Sequence, residues 1–189
     1  MGPIITLLTD FGRIDPYAGI LHGVIACIAP EARIIDLSHD IPPQDVAAAS
    51  FCLACAVPCF PDGTIHVAVV DPGVGTARRA VALAVEGGFL VGPDNGLFTG
   101  VLARTRILAG VALDDPARWR TPQPSPVFHG RDIFAPAAAH LAHGIPLDGL
   151  GTPLDPAGLV RLDLPRCVRQ GDRIQGCVQH VDQFGNLVT

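Results

Sequence analysis

Three side chains with complementary chemistry occur in two short motifs of this sequence. Asp71 and Arg78 belong to the stretch VVDPGVGTARR, and His129 belongs to FHGRDIFAP. An arginine keeps its charge and can stabilise a forming hydroxide. A carboxylate or an imidazole can orient a water molecule and accept its proton. The trio therefore predicts activation of water, and it leaves open which substrate that water attacks.

Each member of the trio also has a simpler structural interpretation. Asp71 and Arg78 are compatible with a salt bridge across a surface turn, and His129 with a loop histidine that hydrogen-bonds a backbone carbonyl. Arg131 and Asp132 are typical of an ion pair at a helix start. Motifs of nucleophilic or zinc hydrolases are absent, because the sequence contains neither GxSxG nor HExxH. On local grounds these alternatives stay open.

Short apolar runs and helical spacing predict the elements that must position these residues. Strands alternate with helices, which favours an α/β fold with a central, mainly parallel sheet flanked by helices. The predicted strands are 4–8, 33–37, 64–70, 80–85 and 88–91, and the predicted helices are 17–28, 45–57, 95–102 and 132–143.

Three of the predicted strands run into an aspartate. These residues are Asp10, Asp40 and Asp71. A single such aspartate is most often a turn or cap residue. Ligands of open α/β sheets bind beyond the carboxyl ends of the strands, so three acidic ends on one edge favour a binding site there.

Composition limits the function classes. Hydrophobic residues make up 49% and charged residues 16% of 189 residues, which excludes a disordered chain. The formal net charge is −5 and no run of basic residues exceeds two, so we expect no nucleic-acid partner. No apolar run is long enough for a membrane span, and the first residues lack a signal-peptide pattern. We therefore expect a cytoplasmic protein without membrane contact, whose cysteines, including Cys52 and Cys55 on the core face of a helix, are structural thiols.

Six segments resemble, in family order, the S-adenosyl-L-methionine (SAM) hydroxide adenosyltransferases, relatives of the fluorinase and chlorinase enzymes. The segments are LLTDFGRIDPYAG, IIDLSHDIPPQDV, VVDPGVGTARR, VGPDNGLFT, FHGRDIFAPAAAHLA and VDQFGNLVT. The resemblance implies hydrolysis of SAM to adenosine and L-methionine, without a metal or cofactor. Water or hydroxide would attack C5′ of the ribose in line with the departing sulfonium, so the protein must align and desolvate a poor nucleophile.

The resemblance also implies roles for the trio and for one acidic strand end. Asp71, Arg78 and His129 match the water-activating residues of the family, and Asp10 matches the carboxylate that binds the ribose diol. The halide-using relatives lack this Asp-Arg-His combination, and the fluorinating ones carry a serine at the position of Gly130. The resemblance thus favours water over halide, and a halide-using SAM adenosyltransferase remains the alternative enzyme.

Further substrate contacts are implied at both ends of the chain. Asp15 and Asp182 match positions near the methionine ammonium group, where anionic side chains suit a cation. Phe184 and Asn186 match the segment that contacts adenosine. The resemblance implies a homotrimer, with active sites between the large domain of one subunit and the small domain of its neighbour.

The last part of the sequence has a different texture. Residues 173–181 alternate apolar and polar side chains, as in an antiparallel strand. Family members continue past FGNL into a small β-barrel. We therefore predict a SAM-binding domain over residues 1–165, followed over 166–189 by a linker and the first strand of a truncated C-terminal β domain. A remnant that binds SAM or adenosine without catalysis is the non-enzymatic alternative.

Overall fold

A seven-stranded sheet forms the centre of the protein in a computed structural model that describes residues 2–164 and 167–189. The strand order is β2-β1-β3-β5-β4-β6-β7. The strands are β1 (Ile4–Thr9), β2 (Arg33–Ser38), β3 (Thr64–Val69), β4 (Ala80–Val85), β5 (Gly88–Pro93), β6 (Ile107–Ala112) and β7 (Thr152–Pro153).

The sheet is mainly parallel, as the sequence predicts. Strands β2, β1, β3 and β5 pair in parallel. Strand β4 is antiparallel to both β5 and β6, so β6 points in the same direction as the parallel group. Because β2, β1 and β3 are neighbours, their carboxyl ends meet at one edge of the sheet, which is where open α/β sheets bind ligands.

Helices cover both faces of this sheet. The α-helices are α1 (Tyr17–Ile28), α2 (Val46–Ala56), α3 (Thr99–Leu102) and α4 (Ala135–Ala142), and a π-helical turn (Gly130–Phe134) leads into α4. Short 3-10 turns lie at Val57–Cys59, Pro116–Arg118, Leu147–Leu150 and Pro156–Gly158. Among the described residues, none of the helices has the length and apolar character that crossing a bilayer requires.

The sheet separates the core into two layers, and side chains of β1 on its two faces contribute to both. Ile5 and Leu7 pack with Leu21 of α1 and with the alanine-rich α4 on one face. Leu8 points to the other face and packs with Leu53 of α2. The period of two along a strand explains why one apolar run, buried on both faces, can contribute to both cores.

The structure corrects three details of the predicted elements. Strand β6 was not predicted, because Gly110 interrupts its apolar run; a Cβ there would lie 2.9 Å from Leu83 Cδ2, so close strand packing uses the glycine. Helix α3 begins at Thr99, because Asn95 Oδ1 accepts from the Leu97 backbone in a turn. Cys55 is exposed and Cys52 only half-buried, so the prediction that both face the core is wrong for Cys55.

The predicted helix at 132–143 is a π-helical turn followed by α4. Pro136 has no N–H to donate to the carbonyl of Asp132. That carbonyl accepts instead from the Arg120 backbone at 2.9 Å. The proline therefore changes the helix type and ties the helix start to the preceding loop.

The C-terminal segment forms two separate two-stranded antiparallel sheets. They pair β8 (Val168–Gln170) with β9 (Arg173–Gln175), and β10 (His180–Val181) with β11 (Leu187–Val188). The single strand predicted over 173–181 is thus wrong, because the chain leaves the ladder between β9 and β10. The predicted domain boundary at 165–166 lies outside the described residues, and a barrel is not confirmed.

Candidate active site

Asp71 lies just past the carboxyl end of β3. The preceding residues Val69 and Val70 are buried in opposite core layers, which fixes the direction in which the chain leaves the sheet. The Asn95 side-chain amide donates to the Val70 carbonyl at 2.9 Å and holds this exit. The sequence pattern places Asn95 at the start of the predicted helix 95–102 and gives no sign of this positioning contact.

A tight loop brings Arg78 back to the same edge. Val74 donates to the Asp71 carbonyl at 3.2 Å, and Thr76 Oγ1 donates to the Gly73 carbonyl at 2.7 Å. Gly75 has φ +76, and a Cβ there would lie 2.3 Å from the carbonyl oxygen of Pro126. This glycine lets the loop pack directly on the segment that precedes His129.

Arg78 joins the other two members of the predicted trio. Its Nε and Nη2 donate to the two carboxylate oxygens of Asp71 at 3.1 Å and 2.5 Å. Its Nη2 also lies 3.0 Å from His129 Nδ1. The side chains of Asp71 and Arg78 are only 5% and 8% exposed, so the pair is well shielded from water.

The contact with Arg78 determines the tautomer of His129. A guanidinium group only donates hydrogen bonds, so His129 Nδ1 must accept. The neutral imidazole therefore carries its proton on Nε2. Since Arg78 already occupies both Asp71 oxygens and this nitrogen, the trio itself is poorly suited to hold a cation.

Burial and charge perturb the ionisation of both partners of Arg78. Burial raises the pKa of Asp71 above its ordinary value, although the adjacent Arg78 opposes the increase. Burial, followed by repulsion from Arg78, lowers the pKa of His129, although Asp71 and Asp132 act in the other direction. His129 is therefore mainly neutral at pH 7, in agreement with its accepting role toward Arg78.

Arg78 also has one donor group without a hydrogen-bond partner. Nη1 is buried and unpaired among the described residues. The guanidinium carbon lies 5.5 Å from the centroid of the Phe134 ring, which provides a favourable cation–π contact. Arg79, the neighbouring arginine, turns elsewhere and bonds Asp94 and the carbonyl of Gly158.

His129 is positioned by the π-helical turn that follows it. Asp132 in that turn is fully buried and accepts from the Ser125 backbone at 2.9 Å. Arg131 donates to both Asp132 oxygens at 2.7 Å. The predicted Arg131–Asp132 ion pair is confirmed, and it anchors the proline-rich loop on which His129 depends.

A cavity of about 290 Å³ joins the predicted trio to the end of β1. Asp10, Asp71 and His129 line it, together with the rings of Phe11 and Phe128. The two rings contact edge to face with centroids 5.8 Å apart and form an apolar wall. The sequence did not predict this wall, although Phe11 directly follows Asp10 and Phe128 directly precedes His129.

Comparisons with known proteins show the family of this chain. The sequence model of the SAM hydroxide adenosyltransferase N-terminal domain matches residues 5–151. The chain belongs to the SAM hydroxide adenosyltransferase family. It is 47% identical over 186 residues to a protein from Salinispora arenicola named (R)-S-adenosyl-L-methionine hydrolase, covering 98% of this chain and 70% of that protein.

Two further proteins are similar to this SAM hydroxide adenosyltransferase family member, one of them a fluorinase and the other a protein of known structure. A fluorinase from Actinoplanes sp. is more distant, at 28% identity over 99% of this chain and 71% of the fluorinase. The crystal structure of an uncharacterized conserved protein from Thermotoga maritima superimposes with a TM-score of 0.92 at 38% identity, covering 97% of this chain and 69% of the other. The predicted family resemblance is confirmed.

The acidic strand ends of this family member do not all reach the cavity. Asp10 lines it and accepts from the Gln44 backbone at 2.8 Å. Gln44 also lines the cavity and has φ +65, a left-handed conformation that is uncommon for residues other than glycine. Asp40 does not line the cavity and pairs with Arg13 at 2.9 Å on the surface, and Asp15 is exposed.

The predicted C-terminal contact residues lie in the turn between β10 and β11. Asp182 Oδ1 accepts from the backbones of Phe184 and Asn186, and Asp182 Oδ2 accepts from the Asn186 side chain at 2.7 Å. The Phe184 ring is 88% exposed. None of the three lines the cavity beside His129, so their substrate roles stay predictions.

A larger cavity of about 480 Å³ lies between α2, α3 and residues 177–179. It contains no member of the trio and none of the other predicted site residues. The smaller cavity is lined by Asp71 of the buried ion pair, by the imidazole of His129 and by Asp10 after the end of β1. The smaller cavity is therefore the candidate active site.

Proposed function

We propose that this protein hydrolyses SAM to adenosine and L-methionine. The observation that carries the proposal is the Arg78 guanidinium that bridges Asp71 and His129 at the ligand-binding edge of the sheet. Membership of the SAM hydroxide adenosyltransferase family supports SAM as the substrate. The relative from Salinispora arenicola, whose printed name specifies the (R) form of SAM, supports hydrolysis as the reaction.

The proposed reaction is an in-line displacement at C5′ of the ribose. A bond forms between the water oxygen and C5′ while the bond between C5′ and sulfur breaks. The electron pair of that bond stays on sulfur, which leaves as the neutral thioether of methionine. Because the sulfonium is already a good leaving group, the main task of the protein is to hold and desolvate the water.

Each member of the trio has a distinct proposed role. The Nε2–H of neutral His129 donates to the attacking oxygen and fixes its position. Asp71, with a pKa raised by burial, accepts the proton that the water loses. Arg78 keeps His129 in the required tautomer and stabilises negative charge on the forming hydroxide.

The remaining predicted residues supply the proposed substrate contacts. Asp10, at the cavity edge, can accept from both ribose hydroxyls. Asp15 is proposed to lie near the methionine ammonium group. The apolar wall of Phe11 and Phe128 would exclude bulk water from the reacting atoms.

We further propose that the protein acts as a homotrimer. Asp182, Phe184 and Asn186 lie outside the cavity of their own chain, and Phe184 is almost fully exposed. This placement supports contact with the substrate in a neighbouring subunit, with adenosine against the Phe184 ring. All six cysteines are free thiols, which supports function in the reducing cytoplasm.

The test is chromatographic detection of adenosine after incubation with each sulfonium epimer of SAM. We expect adenosine and methionine in equal amounts, with turnover retained in a chelator. No adenosine from either epimer would refute hydrolysis, and binding without turnover in calorimetry would identify a non-catalytic binder. Chlorinated adenosine in excess chloride would instead identify a halide-using enzyme, and loss of turnover in the chelator at an unchanged melting temperature would refute the metal-free reaction.

A further inference from the structure

A second cluster of polar side chains lies on the opposite side of β1 from β3. It consists of His22 on α1, Asp36 on β2 and His39 just after β2. His22 Nε2 lies 2.8 Å and His39 Nε2 lies 3.1 Å from the same oxygen, Asp36 Oδ1. One nitrogen or oxygen from each residue falls within 4.8 Å of the others.

His39 is the unusual member of this cluster. Its side chain is only 4% exposed, and Nε2 has no hydrogen-bond partner among the described residues. His39 Nε2 and Asp36 Oδ1, 3.1 Å apart, are close enough for an ion pair, but they are not aligned for a hydrogen bond. A buried polar nitrogen without a partner requires an explanation, such as an unseen ligand.

The other ring nitrogen of His39 is already oriented. Nδ1 lies 2.8 Å from Thr9 Oγ1, and this hydroxyl also accepts from the Phe11 backbone. If Nδ1–H donates to Thr9, the lone pair of Nε2 points into the cluster. Metal-binding histidines are oriented in this manner by a hydrogen bond from the second ring nitrogen.

The geometry points to a site for a divalent transition-metal ion, which we propose is held by His22 Nε2, Asp36 Oδ1 and His39 Nε2. Two imidazoles and one carboxylate suit zinc and related first-row ions. Zinc–nitrogen bonds of about 2.0–2.1 Å at a tetrahedral angle place ligand atoms about 3.3 Å apart. The separations from Asp36 Oδ1 approach this value, so small side-chain movements admit the ion, and water completes its coordination.

The proposed ion would have a structural role beside the active site. It would tie α1 to β2, and the backbone carbonyl of His39 accepts from the Gly12 backbone at 2.7 Å. Thr9 and Gly12 flank the loop that carries Asp10, so the ion would stabilise that loop without touching the trio. This site goes beyond the proposed hydrolysis and does not depend on it.

Titration of the metal-free protein with Co²⁺ tests the proposal. The test variant is His22→Gln, because this side chain is partly exposed and belongs to neither core layer; Asp36→Asn is the second variant. His143→Gln replaces an exposed histidine outside the cluster and is the matched control. Circular dichroism checks that every variant is folded.

We expect one Co²⁺ per chain in the parent and in His143→Gln, with visible ligand-field bands of a nitrogen and oxygen site. His22→Gln and Asp36→Asn should each weaken binding at least tenfold, and Zn²⁺ should raise the melting temperature of the parent but not of His22→Gln. No binding, or affinity unchanged in both variants, would overturn the assignment. Thiolate charge-transfer bands would also overturn it, because they would place the ion at cysteines. Adenosine formation is not read in any of these measurements, so their outcome is separate from that of the proposed function.

Discussion

Replacement of Arg78 by lysine separates the catalytic role of the guanidinium from its charge. Lysine keeps the positive charge but presents a single ammonium group in place of the planar fork. Arg78 uses that fork for two bonds to Asp71 and one to His129 Nδ1. One ammonium cannot reproduce all three directions, so the donor to His129 or one bond to Asp71 is lost.

The size of the effect follows from these contacts. Loss of one hydrogen bond to a charged group costs about 1.5–3 kcal/mol of stability. Loss of a preorganised donor beside developing charge lowers turnover about 10²–10³-fold, equivalent to about 2.7–4 kcal/mol in the activation barrier. We therefore expect Arg78→Lys to remain folded at 25 °C but to lose at least about 99% of its turnover.

Arg79→Lys is the matched control. Arg79 also makes three hydrogen bonds, two to the buried carboxylate of Asp94 and one to the carbonyl of Gly158. Its side chain is 42% exposed and it has no contact with His129. Arg79→Lys should therefore lose some stability while turnover changes little.

The assay compares the rate of adenosine formation at saturating SAM with the midpoint of urea unfolding for each variant. A large turnover loss confined to Arg78→Lys would support the catalytic role. Equal turnover losses in Arg78→Lys and Arg79→Lys would refute the reasoning, because both effects would then arise from general loosening of the loop. Unchanged turnover in Arg78→Lys would remove the guanidinium fork from the mechanism.

Two further predictions concern histidines. His129→Ala should lower turnover by about 10²–10⁴-fold with a much smaller change in the SAM dissociation constant measured by calorimetry; similar changes in both would assign His129 to binding. Burial lowers the pKa of His66 to about 4 from 6.5, so between these values the unfolded chain binds a proton that the folded protein does not. Urea unfolding should therefore show up to about 3 kcal/mol of stability lost as pH falls from about 6.5 to 4, and His66→Gln should remove this part of the pH dependence; an unchanged slope would contradict the assignment.

The first five strands of the sheet and the chemical types of the site residues follow from the sequence. Mainly apolar runs bounded by turn residues identify β1 and β3, which are buried on both faces, and a shorter apolar run identifies the more exposed edge strand β2. Each run ends close to Asp10, Asp40 or Asp71, which placed a candidate site at the carboxyl edge. The chemistry of the two motifs pointed to an arginine and to His129, and the family resemblance favoured Arg78 over Arg79.

The sequence could not determine which hydrogen-bond and ion-pair partners those residues have. Arg78 and Arg79 are adjacent and chemically identical, yet one bonds Asp71 and His129 while the other bonds Asp94. Tertiary packing determines these partners, because the turn at Gly75 and the Asn95 contact fix the path of the chain after β3. Asp40 illustrates the converse, since the same pattern of a strand followed by an aspartate leads to a surface ion pair.

Contacts between residues distant in the chain were likewise decided only by tertiary structure. The wall of Phe11 and Phe128, the tautomer of His129 and the meeting of His22 with Asp36 and His39 all depend on distances across the fold. The local periodicity of apolar residues shows only which side chains of each segment face the core. The sequence therefore determined which chemistry the protein carries, and tertiary structure decided which groups meet, because hydrogen bonds and ion pairs require contact within about 3 Å.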